Sequence, residues 1–180
     1  MTRLVFAGSL AIALAACGQA STEQPDIEAD KVSQASALLT FEQALVTTDR
    51  ESLSDREVSD RFIKVFYDNN ELVKGFEAWV HPDYIQHDPN SPTGRDATIA
   101  VLADHMAANP EMTLEVKRVI YGDKEADGTL VAVHYHFKRA PEERGLAVVD
   151  IYRVKDGYLV EHWDVLQPVP EEALNENTMF

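Results

Sequence analysis

The 180-residue chain contains one cysteine, Cys17. An intramolecular disulfide framework is therefore excluded, and an exported form must be held together by its core. No serine stands in a nucleophile-elbow context, and no glycine-rich stretch has Rossmann or P-loop spacing. Positive charge is scarce: 16 Lys and Arg stand against 31 Asp and Glu, a formal net charge of -15. Phosphate recognition requires clustered cations, so nucleic acid is excluded as a partner. The acidic residues are dispersed and read as a solubilising surface. There are no internal repeats, and the length suits one ordinary domain.

The one strongly apolar run, Leu4 to Ala16, is too short to cross a bilayer as a helix. With Arg3 before it, it reads as an export leader over residues 1–16. It ends in Leu14-Ala15-Ala16-Cys17, which resembles the bacterial lipobox, in which the cysteine is lipidated and becomes the mature N-terminus. The expectation is a protein tethered to the cell envelope through Cys17. By the same resemblance, Gly18 rather than aspartate after the cysteine implies sorting to the outer membrane, facing the periplasm. Residues 17–52 then comprise the lipidated cysteine, a polar tether containing Pro25, and a helix expected over 30–48. The folded domain is expected over 53–180.

Within that domain, Ser54-Asp55-Arg56-Glu57 fits a capping box and opens a helix with Val58, Phe62, Val65 and Phe66 on its apolar stripe. A second helix carries Leu72, Val73, Phe76, Trp79 and Val80 and ends before Pro82. Tyr84 to His87 is a short extended segment. After the turn cluster Asp88-Pro89-Asn90-Ser91-Pro92, Thr93-Gly94-Arg95-Asp96 resembles another capping box and opens a helix through Ile99, Leu102 and Met106. Period-two alternation then marks strands over about 112–121, 129–138, 146–155 and 158–167. Helices followed by strands indicate an α+β domain, with helices packed on one face of a mostly antiparallel sheet.

Asp150 is conspicuous on a strand otherwise made of Val, Ile and Tyr. A three-residue loop at Lys155-Asp156-Gly157 places Asp150 opposite His162 on one face. A two-residue turn at Asp156-Gly157 would instead oppose Asp150 to Trp163 and move His162 to the other face. His134 and His136 share a face of the preceding strand, because alternate residues point the same way. One carboxylate and up to three imidazoles are thus expected to converge. A buried carboxylate beside imidazole suits proton exchange with a carbon acid. His87, Tyr84, Trp79 and Trp163 are further candidates to line an apolar pocket for a small apolar or carbonyl-bearing molecule. Two other readings stay open. One is a non-catalytic binding module; the other is a metal site built on His134-x-His136 with His162 or Asp150.

YIQHDPNSPTGRD, the strand with HYHF, and VVDIYRVKDGYLVEHWDV together resemble the SnoaL-like family, the polyketide-cyclase branch of the nuclear-transport-factor-two-like superfamily. The resemblance covers roughly Val58 to Phe180. It implies a cone-shaped α+β barrel whose strongly curved sheet encloses an apolar pocket. Cyclase members of the family close a ring by intramolecular aldol chemistry without metal or cofactor. The family's acid/base aspartate matches Asp150 by motif, and its assisting histidine matches His136. The resemblance also implies a homodimer formed through the open face of the sheet.

Overall fold

The computed structural model describes residues 39–180. The leader 1–16, Cys17, the tether and the first part of the expected 30–48 helix lie outside the described residues. Within them the helix is a single turn, α1 (Phe41–Ala44), closed by a reciprocal Thr40–Gln43 capping box. A 3-10 turn follows at Arg50–Ser52. This segment packs on the domain expected over 53–180. Ala44 is fully buried, and its carbonyl accepts a hydrogen bond of 2.8 Å from Trp79 Nε1. Arg50 donates to the Ala78 carbonyl and to Tyr158 Oη, and Arg61 forms a two-pronged ion pair with Asp49.

Helix α2 (Asp55–Ile63) starts at the expected Ser54–Glu57 box, with Ser54 N donating to Glu57 Oε2 at 2.8 Å. It runs into one π-helical turn over Lys64–Asp68. The wider turn rotates the following side chains, so Val65, Phe66 and Tyr67 are all buried in succession. Helix α3 (Leu72–Trp79) stops at Val80, because strand β1 (Val80–Gln86) begins there and Pro82 sits on that edge strand. Helix α4 (Arg95–Ala108) begins at Gly94, which has a positive φ and no side-chain cap. The box expected at Thr93 does not form, since Thr93 Oγ1 accepts from Gln86 N instead.

Strands β2 (Thr113–Glu125), β3 (Gly128–Lys138), β4 (Leu146–Lys155) and β5 (Tyr158–Pro168) follow the sequence pattern closely. The sheet order is β1-β5-β4-β3-β2, antiparallel except for β1, which runs parallel to β5. The sheet is curved and unclosed, and its inner face wraps α2 and α3. Phe62, Phe66, Tyr67, Phe76, Val131, Val133, Val148 and Leu159 form the core there.

The β4–β5 hairpin has the two-residue turn of the second reading but not the register that reading implied. Its loop has two residues, Asp156 and Gly157, at φ 50° and 80°, with Lys155 facing Tyr158. Positive φ at both positions is the type I′ geometry that Asp-Gly favours. By itself this turn would carry His162 outward. However, β5 holds one extra residue: Val154 pairs Leu159 whereas Arg153 pairs Glu161. That bulge resets the alternation. Asp150 faces Asp164, Tyr152 faces His162, and all four residues lie on the inner side.

Candidate active site

The inner faces of β1, β4 and β5, helices α3 and α4, and the 86–91 loop enclose a cavity of about 300 Å³. Its floor is Asp150, Tyr152, His162 and Tyr135. Its walls include Phe66, Phe76, Tyr84 and Leu102, and Asn90 and Val101 reach the exposed rim. The volume lies at the low end for ligand pockets and suits a small molecule.

Asp150 is 5% exposed. Its Oδ2 accepts hydrogen bonds from Tyr67 Oη and, at 3.2 Å, from Tyr152 Oη; the two phenols are themselves 2.8 Å apart. Its Oδ1 faces His162 Nε2 at 3.4 Å. The π turn puts Tyr67 in this position, and strand alternation puts Tyr152 beside it. Burial, and then the charge of Asp150, raise the hydroxyl pKa of Tyr67, Tyr135, Tyr152 and Tyr84. All four therefore remain phenols, able to donate, throughout the ordinary pH range. Among the described residues, buried Tyr84 Oη has no hydrogen-bond partner.

The tautomer of His162 follows from its neighbours. Asp88 N donates to Gln86 Oε1 at 3.0 Å, so that amide atom is the oxygen. The same oxygen lies 2.8 Å from His162 Nδ1, which must therefore carry the hydrogen. In the neutral ring the Nε2 lone pair then points towards Asp150 Oδ1. In that form two acceptors face each other at 3.4 Å. Asp164 stands on the same face, directly across from Asp150. Burial raises its carboxyl pKa, His162 pulls it back, and Asp88 and Asp150 push it further up.

Asp150, His162 and Tyr84 thus meet in the cavity. The expected convergence of His134 and His136 does not occur. Val131, Val133 and Tyr135 occupy the inner face of β3, so the intervening histidines point outward. His136 Nε2 donates to the Arg144 carbonyl at 2.6 Å, and its ring stacks on Phe180 with centroids 4.3 Å apart. His134 stacks on Phe180 too, and burial and Arg118 lower its pKa. His136 therefore does not reach Asp150, and the histidine that stands beside it is His162. A metal site on His134-x-His136 together with His162 or Asp150 is excluded by the same geometry, because the pairs lie on opposite faces. His87 is also outside: it bonds Glu161 Oε1 at 2.9 Å and lies flat on Trp163, itself on the outer face. Trp79 is buried away from the cavity under Arg50 and Arg61. Sequence reasoning missed Tyr67, Tyr135, Tyr152, Gln86 and Asp164. Tyr152 and Asp164 carried a usable signal, since each shares the parity of a residue already singled out.

A curved, open α+β cone with an acid at the foot of a small cavity defines the class. The family model described as a SnoaL-like domain matches residues 60–162, more than half of the chain. The chain belongs to the SnoaL-like family. None of the curated proteins matches it by sequence. Among solved structures, a loop-truncation variant of IdmH, a protein of Streptomyces antibioticus assigned as a polyketide cyclase, is 25% identical, with a TM-score of 0.46. The match covers 61% of this chain and 91% of that one. A polyketide cyclase assignment from Bacillus cereus is 16% identical over 64% of this chain and 79% of that one, with a TM-score of 0.47. An Agrobacterium tumefaciens protein assigned as an isomerase of the SnoaL-like family is 10% identical over 61% and 94%, at a TM-score of 0.47.

Proposed function

We propose that the cavity catalyses proton transfer next to a carbonyl, in an aldol-type ring closure or an isomerisation of a small apolar carbonyl compound. The observation that carries this reading is Asp150 at the cavity floor, with Oδ2 fixed by two phenols and Oδ1 turned to His162. Asp150 takes the proton from the carbon alpha to the carbonyl. Tyr84, whose hydroxyl lacks a protein partner, donates to the enolate oxygen. In ring closure the enolate carbon then attacks the second carbonyl, and Asp150 returns its proton to the resulting alkoxide. His162, held by Gln86, accepts from Asp150 Oδ1 while that acid carries the proton. A positioned acid/base contributes about 10²- to 10⁴-fold in rate, and orientation and electrostatics supply the remainder.

The test is deuterium wash-in at the alpha carbon of small 1,3-dicarbonyl compounds and tethered diketones, followed by NMR in D2O. Exchange or ring closure above the buffer rate supports the reading. A ligand that binds and returns unchanged and unexchanged identifies a binding module instead.

The domain is proposed to work at the bacterial envelope, held to the outer membrane on its periplasmic side by lipidated Cys17. Support comes from the lone cysteine directly after Leu14-Ala15-Ala16. In a bacterial host, Cys17→Ser is expected to move the protein from the membrane pellet to the soluble fraction. Equal pelleting of both forms would refute the anchor. Pairing of two copies through the outer face of the sheet is a further proposal, supported by Ile120, Leu130 and Val165, which are 62%, 41% and 65% exposed there. Sedimentation equilibrium at micromolar concentration should return twice the chain mass; a monomer mass removes the idea.

A further inference from the structure

We infer that Asp150, His162 and Asp164 form a binding site for a divalent transition ion of the zinc class, with one coordination position open to the cavity. One oxygen from each carboxylate and one imidazole nitrogen lie within 4.8 Å of one another. Two of these atoms are already prepared as ligands. The His162 side chain is 9% exposed, and its Nε2 has no hydrogen-bond partner. Its Nδ1–H is committed to Gln86 Oε1, which is in turn pinned by Asp88 N. Such an outer hydrogen bond fixes the tautomer and turns the second nitrogen into a donor to metal. Asp150 is prepared in the same manner, because Tyr67 and Tyr152 occupy Oδ2 and leave Oδ1 facing Nε2.

The spacing agrees. Oδ1 and Nε2 are 3.4 Å apart, longer than the ~2.7–2.9 Å of a charge-assisted hydrogen bond. It matches the edge of about 3.4 Å of a tetrahedron whose bonds to the metal are ~2.0–2.1 Å. Asp164 lies directly across the ladder from Asp150 and brings its carboxylate within 4.8 Å of the other two ligand atoms. The cavity lining holds Asp88, Asp150 and Asp164 but neither Lys nor Arg, so no protein cation competes for the position. One imidazole with two carboxylates suits zinc-class ions better than magnesium or calcium, which take oxygen ligands alone. Three protein ligands and an open fourth position are the pattern of a site that binds water or a substrate oxygen.

This inference goes beyond the acid/base reading and uses two of the same residues. An ion there takes the atoms between which a proton would sit, so the loaded protein loses carbon-acid exchange and a chelator restores it. Isothermal titration of the chelator-treated full chain with Zn2+ alone tests the site without a substrate. One equivalent is expected to bind, and Asp164→Asn and His162→Gln are each expected to weaken that binding at least tenfold while keeping wild-type unfolding midpoints. No binding, or equal affinity in the wild type and both variants, overturns the proposal. Equal affinity would place the ion elsewhere on the chain. Absence of exchange in every form, with Zn2+ binding intact, would sink the acid/base reading and leave the metal site standing.

Discussion

Asp150→Asn is expected to lower alpha-proton exchange by about 10²- to 10⁴-fold, towards the buffer rate, with the fold intact. Asparagine has the shape of aspartate. Its carbonyl oxygen accepts from Tyr67 and Tyr152 as Oδ2 does now, and its amide nitrogen donates to His162 Nε2. Every hydrogen bond of the floor is therefore kept, and only the capacity to take up a proton is lost. The comparison needs exchange rates and urea midpoints of both proteins in the same buffer. Exchange at the wild-type rate in a folded variant would remove Asp150 from the chemistry. A collapsed midpoint would show that burial of the acid is a structural matter, and Tyr84→Phe would then serve as the second probe. That variant removes one unpartnered donor at the cavity wall and leaves the floor untouched.

Trp79→Ala should cost about 3–5 kcal/mol, the largest stability loss expected from a single truncation in this chain. Trp79 is 0% exposed, and Arg50 and Arg61 stand 5.3 Å and 5.7 Å from its ring centroid. Its indole N–H is also the hydrogen bond that ties the buried Ala44 carbonyl to the domain. Truncation thus opens a cavity, strips two cations of their aromatic surface, and leaves a carbonyl without its donor. Trp79→Phe isolates the last of these, because the ring stays largely filled. A loss of about 1 kcal/mol beyond the missing volume is expected there. Urea unfolding gives both values from the shift in midpoint at constant slope. If Trp79→Ala costs less than 1 kcal/mol, the segment from Thr40 to Ser52 is not held in the way described.

These expectations show how far the amino-acid pattern carries. Strands β2 to β5 were readable because half-buried strands impose a period of two, and Asp150 stood out because it interrupts an apolar strand. The inward direction of His162 was read correctly from the wrong register. A three-residue loop and a two-residue turn plus a bulge shift the pairing by the same parity, and parity alone decides the face. His134 and His136 share a face, as alternation requires, yet nothing local states which face is inner. That choice belongs to Val131, Val133 and Tyr135, whose packing on the helices outweighs two imidazoles. Tyr67 was hidden for another reason. A regular helix gives no cue that one wider turn will swing a residue off its stripe and into the core. The contacts of Gln86 with His162 were likewise hidden, because parallel pairing of β1 with β5 joins segments that are far apart in the chain.

The extra residue near Val160 gives this hairpin slack. Val154 pairs Leu159 and Arg153 pairs Glu161, so loss of the one unpaired residue between them would close the ladder into regular alternation and leave Tyr152 opposite His162. A deletion beyond the bulge, between His162 and Asp164, has no such reserve and would send one of the two polar side chains to solvent. Relatives with a shorter β5 are therefore expected to have lost the bulge and kept the chemistry.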